Sequence, residues 1–160
     1  MAKIGKIRII NFVYNENRHI YDQTFDFGKG EDALLSLQNG GGKTVLVQMM
    51  MQPMVPTLKL KDRNFKSYFA NAKAPCYIMI EWIRDDQQTR ILTGIGVKRV
   101  AGRNSEEESD SLKVITFLSE YEEGSRFDIR NIELLEEERG VVRLVEFDKV
   151  IRSLSAAEKE

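Results

Sequence analysis

The sequence predicts an α/β (α+β) domain, a mixed β-sheet with antiparallel strands around a central helix. Three observations lead there. Residues 3–14 and 20–27 alternate apolar and polar side chains, the two-residue period of strands with one buried face. Residues 33–51 pass from a short apolar run through Gly40-Gly41-Gly42 into Lys43-Thr44 and a second apolar run. Residues 76–84 and 90–100 are apolar strands separated by the polar turn Asp85-Asp86-Gln87-Gln88.

A chain of 160 residues is enough for one domain with a real core. With 42% hydrophobic and 31% charged residues it has the balance of a globular protein, not a disordered one. The net charge of −1 gives no reason to expect a strongly basic nucleic-acid binder, although a local basic patch is compatible with it. The single cysteine, Cys76, rules out an internal disulfide and a cysteine metal cluster, and reads as a buried, inert thiol. The single histidine, His19, sits in a polar stretch and reads as a surface residue. No apolar run approaches membrane-span length and the N-terminus lacks a signal-peptide core, so a cytoplasmic protein is expected.

The elements follow in order. The strands at 3–14 and 20–27 flank the turn Asn15-Glu16-Asn17-Arg18 and should pair as a hairpin, closed by Gly28-Lys29-Gly30. Residues 33–37 read as a buried strand. The helix from Lys43 carries Val45, Leu46, Val47 and Met49-Met50-Met51 around nearly its whole circumference, so it should be central and buried, ended by Pro53 and Pro56. Residues 58–63 form a basic loop. Phe65, Tyr68 and Phe69 lie at helical spacing and suggest a short helix or lid. Those aromatics beside Lys59, Lys61, Arg63, Lys66 and Lys73 could contact nucleotide or DNA; an amphipathic connector with a solvated basic face is the simpler account and is preferred.

In the strand at 90–100, Gly94 and Gly96 suggest a bulge or a close backbone approach. Residues 101–111 read as a polar, acidic loop, 112–118 as a strand and 126–132 as a further one. Glu136-Glu137-Glu138-Arg139-Gly140 reads as a charged turn without the paired setting that acid–base chemistry needs. Phe147, Val150, Ile151 and Leu154 predict an amphipathic helix over 146–160 that runs on as though toward a longer helical region. The whole of 1–160 is expected to be a single domain.

Strand, glycine turn, Lys-Thr and helix form the plan of a phosphate-binding loop. Glycines let several backbone N–H groups converge on one anion, and the helix that starts there adds its positive end. Asn39, Gly40, Gly41, Gly42, Lys43 and Thr44 are the nucleotide-binding candidates. Lys43 would reach the β- and γ-phosphates of ATP, and the Thr44 hydroxyl would ligate Mg²⁺. Against the pattern G-x-x-x-x-G-K-[ST], Leu37 stands where the first glycine would be. A phosphate-loop enzyme also needs an acidic residue at a strand end, and no apolar strand here ends in Asp-Glu, so the chain carries half of an ATP site and no catalytic residue of its own.

This combination resembles the N-terminal half of an SMC-like ATPase head, an ABC-type P-loop NTPase lobe. Within that superfamily it is most similar to the MukB/MksB type, including plasmid-defence condensins. The resemblance rests on Ile9-Ile10-Asn11-Phe12 and Thr24-Phe25-Asp26-Phe27 in the lead-in, and on Asn39-Gly40-Gly41-Gly42-Lys43-Thr44. It also rests on Cys76-Tyr77-Ile78-Met79 followed by Ile95-Gly96-Val97-Lys98-Arg99-Val100-Ala101-Gly102-Arg103. It implies ATP and Mg²⁺ as cofactors and a coiled coil leading to a C-terminal half of the same head. It also implies a second head that completes the site, kleisin-like accessory subunits, DNA as the object moved or entrapped, and a nucleoid-associated location. Adenine contacts from the first hairpin would fall on Asn11, Asn15 or Arg18, and DNA contacts on Lys59, Lys61, Arg63 and Lys66. Two other readings of the residues stand beside it: a small kinase or GTPase with a degenerate loop, and a non-catalytic β-rich interaction module whose glycine loop is structural.

Overall fold

The computed structural model describes residues 2–14, 18–34, 36, 42–55, 68–69, 75–86, 88–100, 111–132, 135–138 and 141–144. They form an α+β domain. Five strands, β1 (Lys3–Tyr14), β2 (Arg18–Asp26), β3 (Cys76–Ile83), β4 (Thr89–Val100) and β5 (Ser111–Glu122), make one sheet in the order β2-β1-β3-β4-β5. Every neighbouring pair is antiparallel. The helix α1 (Lys43–Met51) lies between β2 and β3 in the chain. A separate hairpin joins β6 (Leu135–Glu138) to β7 (Val141–Leu144). No described helix is long and apolar enough to cross a membrane.

Strand β1 is central because its sequence suits both faces. On one face Ile7, Ile9 and Phe12 join Cys76, Ile78, Ile80, Ile95 and Val97 under Val45, Leu46 and Met49 of α1. Asn11, in the left-handed region at φ 53, breaks the alternation, so that Phe12 follows Ile9 onto the helix side. On the other face Ile10, Tyr77, Met79, Leu92 and Tyr121 are covered by Ile129 and Ile132. The sequence led us to expect one buried face; the structure covers both, and Lys6 and Arg8 are buried with the rest.

Those two cations are tolerated because each is fully engaged. The register slips between Ile4 and Lys6 and sets Lys6 opposite Glu81, whose carboxylate accepts from the ammonium at 2.8 Å and from the Tyr121 hydroxyl. Arg8 donates from Nε and Nη2 to Asp22 at 2.8 and 2.7 Å, and from Nη1 to the carbonyls of Ile129 and Ile132 at 2.8 and 2.9 Å. Arg8 thereby fastens the segment after β5 over the sheet. That segment is the expected strand at 126–132, and it is a run of turns instead. Its backbone is folded on Asp128, whose carboxylate accepts from the amides of Gly124 and Arg130, so those amides are turned away from any neighbouring strand.

Other expectations fare differently. The glycine pair in β4 marks a close approach and not a bulge: the β3–β4 and β4–β5 registers are unbroken, and a Cβ on Gly94 would overlap the Phe117 ring. Strand β5 runs on to Glu122, past the expected end at 118. Glu136, Glu137 and Glu138 lie in β6 and not in a turn, paired with Arg143, Val142 and Val141. The helix is not buried all round. Val45, Leu46 and Met49 face the sheet, whereas Val47 is 48% and Met51 38% exposed. It ends at Met51, in the turn before Pro53. The expected helix at 146–160 lies outside the described residues.

Replacing a buried cation strands its partner. Lys6→Met should cost about 3–5 kcal/mol in urea unfolding, and adding Glu81→Met should recover more than half of that loss. Burial, then the Glu81 hydrogen bond and charge, hold the Tyr121 phenol protonated above its usual 10.0. A raised folded-state pKa gives stability that is complete below pH 10 and lost as pH rises beyond it. Tyr121→Phe should flatten that alkaline loss in unfolding measured against pH.

Candidate functional site

The start of α1 is where the sequence concentrates phosphate-binding chemistry. Gly42 is the N-cap residue, at φ 84 and ψ 20, and its carbonyl accepts the first helical hydrogen bond from Leu46 at 2.9 Å. This left-handed conformation is strained for any residue with a Cβ. A second constraint acts on the same position, because a Cβ there would overlap the edge of the Tyr14 ring. Tyr14 is itself stacked on Phe12 with centroids 5.7 Å apart and planes 10° from parallel, and Phe12 meets Phe69 edge-on at 6.1 Å. The entry to the helix is thus seated against the end of β1 through an aromatic column that reaches the core.

The N-cap Gly42 makes no side-chain cap hydrogen bond, and no acidic residue lies in the first turn. Its leading N–H groups have no intrahelical partner by geometry, and they carry the positive end of the helix dipole. Lys43 and Thr44, the first two helical residues, are both exposed. An acid-free first turn with a lysine and a hydroxyl can take an anion, and its residues fit the phosphate tail of a nucleotide with its magnesium. Further along α1, Gln48 accepts from the Tyr68 hydroxyl at 2.6 Å, and Tyr68 and Phe69 are buried. Two of the aromatics proposed as nucleotide or DNA contacts are therefore core residues; Phe65 lies outside the described residues.

The strand expected over 33–37 is not formed by its described residues. Ala33, Leu34 and Ser36 are exposed and belong to no strand, and Leu34 is 95% exposed. The physical reason is pairing. Both edges of β1 are occupied, by β2 and β3, so the sheet offers the run at 33–37 no central slot.

Of the nucleotide-binding candidates, Gly42, Lys43 and Thr44 are together at the helix start, and Asn39, Gly40 and Gly41 lie outside the described residues. Among the candidate adenine contacts, Asn11 donates to the Pro75 carbonyl at 3.0 Å and lies 2.8 Å from a His19 ring nitrogen, so its amide braces β1. Arg18 is exposed at the start of β2 and Asn15 lies outside the described residues. The DNA-contact candidates Lys59, Lys61, Arg63 and Lys66 also lie outside them. Among the described residues no group of three or more His, Cys, Asp or Glu could hold a metal ion. Cys76 is buried, and desolvation pushes its thiol far above the usual range, as expected of an inert group. Sequence reasoning missed Tyr14, whose signal would have been its place at the end of the first alternating strand. No protein-family model and no curated protein matches the chain.

Gly42→Ala should destabilise the chain by about 1–2 kcal/mol from backbone strain alone. Combining it with Tyr14→Ala should cost less than the two single changes summed, since the overlap is removed, and thermal unfolding of the four proteins checks this.

Proposed function

We propose that this chain is the ATP-binding N-terminal half of an SMC-like ATPase head of the MukB/MksB type, a P-loop NTPase lobe. The observation that carries this reading is the start of α1: a left-handed Gly42, an acid-free first turn, and exposed Lys43 and Thr44. In this reading residues 39–44 gather their amides around the phosphates. Lys43 neutralises the β- and γ-oxygens and the Thr44 hydroxyl orients the cation. Magnesium, when bound, would offset the charge that develops on the phosphates. The Tyr14 ring beside Gly42 borders the same site. Arg18 and Asn15, at the hairpin end, remain the candidates for the adenine, and Lys59, Lys61, Arg63 and Lys66 for DNA.

The outer side of α1 supports an incomplete head. Val47, Met51, Met54 and Val55 are between 38% and 48% exposed along one side of the helix and the turn after it. Apolar residues grouped in this way mark a covered surface, and the C-terminal half of the same head would cover it. Two complete heads would then enclose ATP, and its hydrolysis would drive the organisation, segregation or entrapment of DNA with kleisin-like subunits at the nucleoid. A C-terminal half would also supply the pairing that residues 33, 34 and 36 lack here.

The absence of a strand at 33–34 and 36 favours one other reading, a non-catalytic β-rich interaction module with a structural glycine loop. Titration with Mg-ATP separates the two. An ATP-head half should bind it, Lys43→Ala should weaken binding at least about tenfold, or about 1.4 kcal/mol, and the chain alone should hydrolyse nothing. Binding that Lys43→Ala leaves unchanged, a preference for GTP, or robust turnover by the isolated chain would each overturn the proposal.

A further inference from the structure

Strand β5 ends at Glu122, and the side chain of the next residue reaches back to the polar interior of the sheet. On the face opposite α1, Lys6 of β1 and Arg90 of β4 are both buried, and β3 runs between their strands. Glu81 of β3 is buried with them. Its two carboxylate oxygens accept from Lys6 and from Tyr121, the residue paired with Arg90. Glu123 meets both cations from outside. Arg90 donates from Nη2 to its Oε2 at 2.6 Å, and its Oε1 stands 3.9 Å from the Lys6 ammonium. The burial is one-sided: the two cationic side chains are 5% and 6% exposed, whereas that of Glu123 is 59% exposed. Asp128, another buried carboxylate, is taken up by the amides of Gly124 and Arg130.

We propose that Lys6 and Arg90 form a binding site for a phosphate-class oxyanion, and that Glu123 is a displaceable carboxylate that occupies the site in the free chain. Burial fixes the need for an anion there, because a desolvated cation is costly until a counter-charge offsets it. Burial does not fix which anion. Glu123 is exposed, lies just beyond the last paired residue of β5 and precedes Gly124, which has a φ of 78 and open space around it, so the turn has room to move. The distances select the class of ligand. Tethered to the end of β5, Glu123 hydrogen-bonds Arg90 and stops short of Lys6. A phosphate carries its oxygens in a tetrahedron and more charge than a carboxylate, so one group can accept from a guanidinium and an ammonium together. An ammonium has donors enough to serve Glu81 and a phosphate oxygen at once. Glu123 competes at the high effective concentration of a tethered group, and so sets the ligand concentration below which the site stays shut.

This site lies on the other face of the sheet from α1 and does not depend on the phosphate-loop reading. Isothermal titration with inorganic phosphate at constant ionic strength tests it. Glu123→Ala should bind phosphate at least about tenfold more tightly than the unaltered chain, because a tethered competitor has been removed. Glu123→Gln, which keeps the shape and removes the charge, should behave likewise. In both variants the unfolding temperature should rise with phosphate and level off at saturation, and acetate should raise it less. Combining Glu123→Ala with Lys6→Met and Glu81→Met, which remove one cation without stranding its partner, should abolish the gain. Lys43→Ala should leave the gain intact, which separates this site from the start of α1. The proposal is overturned if neither Glu123 variant gains phosphate binding, if the gain survives the loss of Lys6 and Glu81, if it disappears with Lys43→Ala, or if acetate matches phosphate.

Discussion

Strand β1 has a neighbour on each edge and a covered face on each side, and the rest of the molecule is arranged around that constraint. With β2 and β3 both antiparallel to it, β2 and β3 run parallel to one another, and the chain must cross over β1 to get from the first to the second. The crossover carries α1, whose Val45, Leu46 and Met49 close the face formed by Ile7, Ile9 and Phe12. The opposite face is closed by the turns after β5, held down by Arg8. Burying Lys6 and Arg8 is costly unless each is fully paired. The partners come from distant parts of the chain, Glu81 and Tyr121 for one, Asp22 and the Ile129 and Ile132 carbonyls for the other. This polar layer therefore ties the strand order together as well as filling space.

The same constraint shapes the candidate site. The end of β1 delivers Tyr14 to the start of α1, and Gly42 fits there because it has no Cβ and can adopt a positive φ. Phe12, Tyr14 and Phe69 link that contact to the core. The helix start is thus set by packing on its inner side, while Lys43 and Thr44 face outward.

Several features were legible because they are local. The strands β1 to β4 announced themselves by alternation or by continuous apolar runs. Gly42-Lys43-Thr44 at a helix start followed from glycine next to a helix-forming segment, and Pro53 marked where that segment stops. The failures share a cause. Residues 33–37 have the composition of a buried strand, yet residues 33, 34 and 36 join none, and composition does not reveal that both edges of β1 are taken by β2 and β3. Residues 126–132 have apolar residues at strand spacing, yet Asp128 draws the backbone into turns. Lys6 and Arg8 looked like a solvent face because their partners lie far away in sequence.

By itself, then, the amino-acid order determined the identity of the main strands, the helix that follows the glycine cluster and the placement of Gly42, Lys43 and Thr44 at its first turn, since all of these depend on side chains within a few residues of one another. Tertiary structure alone decided that the five described strands of the sheet are all antiparallel to their neighbours, that two cations belong inside it, and that α1 hides one side and bares the other. Those outcomes depend on which segments meet, and that is settled by competition among distant parts of the chain for the same pairing edges and the same buried surface.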